Sequence, residues 1–164
     1  MTHFKNIFFM ISLVLVLVSC TNKEYEKQES VFIVFKTPTL KYADLGFIYQ
    51  NNDEMKIEIY GSGQALMTLE ISKKNVCMSF LECMHNDDFN TQVLSSWYPD
   101  ELLGNIFRGQ PIFQGKGLSK NSHGFTQKID DKHKYNIRYN IFNKEVVFRD
   151  TINDIVIKIK RVGS

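Results

Sequence analysis

The sequence predicts a mainly β protein built as a mostly antiparallel sheet, with one dry face, one wet face and a short amphipathic helix over the dry one. Three observations carry this. From Val31 onward apolar and polar residues alternate with period two, the pattern of half-buried strands. Turn sequences at 61–64 (Gly-Ser-Gly-Gln) and 143–144 (Asn-Lys) join the alternating runs into hairpins. Leu102, Leu103, Ile106 and Phe107 recur at helical spacing, and the only apolar surface large enough to bury that stripe is the concave face of the sheet.

Composition sets the frame. The chain has 164 residues, 20 Lys plus Arg against 18 Asp plus Glu, 43% hydrophobic residues, 13% aromatic residues and 3 prolines. This excludes low-complexity disorder and a polybasic nucleic-acid binder, and it suits one domain with a single core. Basic residues alternate along solvent faces without gathering into a nucleic-acid stripe in the linear sequence, so no nucleic acid is expected as a partner.

At the N-terminus Lys5 precedes the apolar run Ile7–Val18 (IFFMISLVLVLV). That run is shorter than the ~20 residues that cross a bilayer, so it fits a signal peptide over residues 1–19. Leu17-Val18-Ser19-Cys20 resembles the bacterial lipobox, in which the cysteine is lipidated and becomes the new N-terminus. Cys20 is therefore the expected lipid attachment site, and acyl chains there would hold the protein on a membrane without spanning it. Thr21 stands where inner-membrane retention signals usually place Asp, so by resemblance to sorted lipoproteins the expected destination is the outer membrane, facing the periplasm. Residues 20–30 (CTNKEYEKQES) read as a solvated tether, and residues 31–164 as the β domain.

Along the domain, Val31–Lys36 is a short strand, and Leu40–Gln50 reads as a pair of strand pieces with Gly46 as a bulge. Met55, Ile57 and Ile59, then Met67, Leu69 and Ile71, form a hairpin with one apolar face. Asn86–Leu94 reads as a short helix capped by its acidic start and carrying Phe89 and Val93 on one side. Pro99 opens the second helix, and Gly109 and Pro111 stop it. Tyr135, Ile137, Tyr139 and Ile141, then Val146 and Phe148, then Ile155, Ile157 and Ile159 are the last three strands. The alternation assigns Ile57, Ile59, Leu69, Ile137, Tyr139, Phe148 and Ile157 to the inner face, with Leu103 and Phe107 from the helix above it.

Cys77 and Cys83 remain as an even pair once Cys20 is lipidated. Five intervening residues can close a bridge if they make a tight turn, and two reduced, buried thiols are the other state open to them. Enzymatic sites lack their residues. The histidines fall in no metal-spaced motif, Cys83-Met84-His85 has no orienting third group, Asp87-Asp88 and Asp130-Asp131 suit a helix start and a turn, and the GSG and GKG stretches lack a phosphate loop's strand-to-helix setting. No catalytic residue, metal site or cofactor is expected.

Lys56–Glu70 (KIEIYGSGQALMTLE), Phe89–Pro111 (FNTQVLSSWYPDELLGNIFRGQP) and the C-terminal meander together resemble, in order and spacing, the LolA/LolB family of lipoprotein carriers and receptors. Tyr60-Gly61, Gln64-Ala65 and Gly109-Gln110-Pro111 occupy the places of that family's aromatic-Gly turn, returning strand and Gly-x-Pro step, and the lipobox agrees with its membrane-anchored receptor branch. The resemblance covers roughly residues 40–160. It implies an incomplete antiparallel barrel (half-barrel) with a helical lid over a cavity for the acyl chains of other lipoproteins, received from a periplasmic carrier. The inner-face residues above would then line the cavity; a packed scaffold for an envelope assembly is the alternative. One departure stands out. The family's receptors carry an exposed aliphatic residue in the turn that here reads Gly61-Ser62-Gly63-Gln64, so either membrane contact falls to another loop, Trp97-Tyr98 or Ile112-Phe113, or the protein binds lipid without inserting it.

Overall fold

The computed structural model of the protein describes residues 24–79 and 81–163. The expected signal peptide and Cys20 lie outside the described residues. Eleven strands form one antiparallel sheet: β1 (Lys27–Lys36), β2 (Lys41–Gln50), β3 (Met55–Gly61), β4 (Gln64–Ile71), β5 (Asn75–Met78), β6 (Met84–His85), β7 (Leu118–Asn121), β8 (Gly124–Asp131), β9 (Tyr135–Phe142), β10 (Glu145–Asp150) and β11 (Ile155–Arg161). Between β6 and β7 come the only two α-helices of the described residues, α1 (Asn86–Val93) and α2 (Leu102–Arg108).

The strand order is β6-β5-β4-β3-β2-β1-β11-β10-β9-β8-β7, so each strand pairs with its sequence neighbour except where β1 joins β11. Two meanders, one from each half of the chain, are thus welded at the middle of the sheet, with Val31 opposite Arg161 and Lys36 opposite Val156. The outer strands β6 and β7 are two and four residues long and do not pair with each other. The sheet is open, consistent with an incomplete barrel, and its edges are too short to template aggregation.

Alternation builds the core as the sequence predicts. Ile33, Ile57, Leu69, Ile137, Phe148 and Ile157, from six different strands, belong to a single buried cluster together with Phe89, Leu103, Ile106 and Phe107 of the helices. Strands bury one face each, and a flat sheet would leave that face wet. Here the helices cover it, and inner faces and helices share one buried cluster.

Several expectations are corrected. Residues 27–30 are strand, not tether, because the backbone of β1 pairs with β2 from Lys27 opposite Gln50 to Ser30 opposite Phe47. Main-chain pairing extends a strand past the end of its apolar run. Leu40–Gln50 is likewise one strand of ten residues beginning at Lys41, and Gly46 is not its bulge. The register shift falls between Ile59 and Tyr60 of the next hairpin, while Gly46 pairs opposite Ile59. Gly46 is needed for close approach: a Cβ there would stand 2.1 Å from the Glu58 carbonyl oxygen. Helix α1 starts without a side-chain cap; Asp87 and Asp88 sit in its first turn, where they favour the helix through its dipole. Pro99 precedes α2 by a turn, its carbonyl accepting from Leu102 N–H at 3.0 Å, and Gly109 ends the helix in the left-handed conformation at φ 67°.

Cys77 and Cys83 form a disulfide with Cα atoms 4.0 Å apart, fastening β5 to the chain entering β6. Gly46→Ala is expected to lower stability by about 1–3 kcal/mol or more, since the new methyl meets backbone that cannot swing aside; urea unfolding followed by tryptophan fluorescence measures it.

Candidate functional site

Chain connectivity creates the site. Helix α1 starts at one edge of the sheet, beside β6, and the chain resumes as β7 at the opposite edge, so residues 86–117 must cross from edge to edge. They cross on the apolar side, because Phe89, Val93, Leu102, Leu103, Ile106, Phe107 and Ile112 are all buried in the core cluster. A Cβ on Gly104 would lie 3.8 Å from Ile71 Cγ2 of β4, and one on Gly109 3.8 Å from Ile141 Cδ1 of β9. The crossing segment therefore touches both halves of the sheet.

A few polar contacts pin it. Tyr98 Oη–H donates to Asp150 Oδ2 at 2.6 Å, and Asn90 Nδ2 donates to the carbonyls of Tyr98 and Pro99 at 3.3 and 3.1 Å. Arg108 Nη1 donates to the Asn51 carbonyl at 3.0 Å, in the β2–β3 turn. At the exit, the Gln127 amide on β8 reads the backbone of the segment. Its Oε1 accepts from Ile112 N–H at 2.8 Å, and its Nε2 donates to the Ile112 and Lys116 carbonyls at 2.8 and 2.9 Å. Asp150 occupies an inner position of β10 and is fully withdrawn from solvent. Besides Tyr98 it accepts from the backbone N–H groups of Asn136 and Ile152 and from Asn153 Nδ2, at 3.0, 2.9 and 2.7 Å. A buried carboxylate is tolerable only when it is surrounded by donors in this way.

Burial and the hydrogen bond to Asp150, whose charge adds to them, push the Tyr98 phenol far above the ordinary tyrosine range. Burial alone raises that of Tyr139, the ring of which stands between Phe125 and Phe148. The aromatic contacts continue outward: Phe113 meets Tyr98 and Tyr135 with ring centroids 6.4 and 5.0 Å apart. Its backbone and that of Gln114 are both left-handed, φ 46° and 54°.

The inner-face residues named from the sequence, Ile57, Ile59, Leu69, Leu103, Phe107, Ile137, Tyr139, Phe148 and Ile157, are brought together as expected, each with at most 1% of its surface accessible. They belong to one buried cluster and are packed against one another. A cleft of about 230 Å³ lies at the rim beside α2 and is lined by Met55, Ile71, Asn86, Asn105 and Arg108 among others. Of the residues named for membrane contact, Trp97 is 54% exposed, with Lys134 Nζ 4.9 Å from its ring centre. Tyr98 and Ile112 are buried and Phe113 is half-buried, so they are unavailable in this conformation. Cys83 is consumed by its disulfide and holds no free thiol for His85 to activate. Sequence reasoning missed Asp150, Gln127 and Asn90, polar residues at buried positions; the signal was the interruption of an apolar alternation by one polar residue, as at Asp150 after Val146 and Phe148.

No family model matches the chain, and no curated protein matches it either.

A tyrosine held neutral in the fold but free to ionise when unfolded stabilises the native state fully below the unfolded pKa of about 10. Above it the unfolded chain gains by ionising, so stability falls as pH rises. Tyr98→Phe is expected to cost about 1.5–3 kcal/mol near neutral pH, as Asp150 loses a donor, and to flatten the alkaline fall, measured by urea unfolding across that range.

Proposed function

We propose that the protein is an outer-membrane lipoprotein, anchored through Cys20 and facing the periplasm, with a half-barrel that captures the acyl chains of other lipoproteins received from a periplasmic carrier. The mechanism is non-covalent. The observation that carries it is the crossing segment: an amphipathic helix packed on the inner face of an open sheet, joined to the chain only at the two sheet edges, which this reading takes as the lid. Further support comes from the lipobox-like Leu17–Cys20 and the resemblance in order and spacing to the LolA/LolB family.

With its interior packed, the described conformation is the closed one, and binding requires α2 to move aside. Energetics permit this. Re-exposing Leu102, Leu103, Ile106 and Phe107 costs about 1.5–3 kcal/mol each, roughly 6–12 kcal/mol together. An acyl chain of about fourteen methylenes withdrawn from water offsets this at ~0.8 kcal/mol per methylene, roughly 11 kcal/mol. The lid would open only against a ligand of that length and stay shut against short amphiphiles. A second reading, a packed scaffold for an envelope assembly, is favoured by the near-zero accessibility of the interior side chains.

A staple separates the two. With Gly104→Cys and Ile71→Cys, the oxidised protein is expected to accept no lipoprotein from a loaded carrier in a pull-down transfer assay, and reduction is expected to restore uptake, with the wild type assayed under both conditions. Uptake by the stapled protein would show that α2 need not move. No transfer to the wild type, from a carrier that releases cargo to an authentic receptor, would overturn the receptor reading and favour the scaffold. Cys20→Ala is expected to release the protein from membranes.

A further inference from the structure

The outer face of the sheet carries a charge pattern that the strand register alone reveals. Following hydrogen-bonded neighbours across β2, β1, β11, β10, β9 and β8, one row reads Lys41, Lys36, Val156, Arg149, Arg138, Lys128. Every member but Val156 is a cation, and Lys36 with Lys41, Arg149 with Arg138, and Arg138 with Lys128 stand directly opposite one another. Strands lie about 4.8 Å apart, so the row is a belt roughly 24 Å long. Like charges directly opposite cost stability. Among the described residues the carboxylate that answers the row is Asp154, 2.8 Å from Lys36 Nζ and within the field of Lys41 and Arg149. Asp130 lies on the same face of β8, two residues along from Lys128, and ion-pairs with none of them.

The next row reads Ala43, Val34, Lys158, Val147, Asn140, Thr126, apolar on β2, β1 and β10 around one further cation. Lys158 stands between Val34 and Val147, and Lys160 stands beside Phe32, which in turn faces Leu45. Phe32 and Leu45 are 39% and 55% exposed. Lysine is depleted at the centres of protein–protein interfaces but suits a lipid surface, where its stem covers apolar ground and its ammonium meets headgroups. Residues 21–26, between Cys20 and β1, span at most about 20 Å, which keeps the Lys27 end of β1, the central strand, close to any membrane that holds Cys20; the belt crosses β1 at its other end, Lys36, so both meet one membrane only when the sheet lies side-on.

We propose that this belt is a docking surface for anionic lipid headgroups, laying the sheet side-on against the membrane that carries the protein. The orientation leaves the two ends of the half-barrel, and the rim of α2, free to meet a partner. The inference takes its membrane from the anchor reading above, but its test does not involve cargo.

In the test, the full chain, purified in detergent, is reconstituted into vesicles of phosphatidylcholine alone or mixed with phosphatidylglycerol, and lysine acetylation by a soluble reagent is followed by mass spectrometry. On the anionic vesicles Lys41, Lys128 and Lys158 are expected to react several-fold more slowly than on neutral ones, relative to Lys74 in the β4–β5 turn, and salt is expected to abolish the difference. The scale is about fivefold per basic residue near such a surface. The double variant Arg138→Gln, Arg149→Gln is expected to lose this protection while its melting temperature holds or rises, because repulsion within the row is relieved. Equal rates on both vesicles, or equal protection on both, would overturn the proposal. So would protection that survives in the double variant, or protection by soluble polyglutamate where vesicles give none, which would assign the row to an acidic protein. Failure of cargo transfer would leave these rates unchanged.

Discussion

Burial of the sheet's inner face by residues 86–117 is the interaction on which the other features depend. Each strand offers a dry side, but the sheet is open, and β6 and β7 do not meet to close it. The crossing segment supplies the missing wall. Without Leu102, Leu103, Ile106 and Phe107, residues such as Ile71, Tyr139 and Phe148 would face water. Hydrophobic burial is non-directional, however, and would hold the helices in many positions equally well.

Direction comes from a few buried polar groups. Asp150 and Gln127 occupy inner positions that the alternation reserves for apolar side chains, and each is satisfied by the crossing segment or by the turns beside it. Such groups are costly if unpaired, so they fix where the segment sits more sharply than apolar contact could. Tyr98 and Arg108 fasten it to opposite parts of the sheet, at β10 and at the β2–β3 turn. A segment held by apolar contact and a small number of specific bonds has a defined seat and a bounded cost of leaving it. That is the physical requirement for a lid, and equally a sound way to finish a static core.

The outer face obeys a different rule. Exposed positions tolerate almost any residue, so a row of cations abreast cannot be attributed to folding, which it opposes. Fold and surface are therefore separable: the inner face carries the stability, and the outer face carries a charge pattern whose repulsion the inner face sustains.

The strands and their faces were legible wherever the alternation was clean. Met55–Ile71 and Tyr135–Ile159 declare their inner side residue by residue, and Gly109 ends α2 where its backbone must turn left-handed. Strands β7 and β8 were not legible, because inner positions there are filled by Gln127 and Phe125 among Lys, Thr and Ser, and pairing with β9 makes the strand rather than any pattern within it. Period two is a local property, so the sequence by itself determined which side chains point inward and where the hairpins turn. Which strands become neighbours is non-local. Only the tertiary structure decided that β1 joins β11, that the crossing segment is pinned by Asp150 and Gln127, and that lysines and arginines scattered along the chain fall into one row, because register is set by hydrogen bonding between segments far apart in sequence.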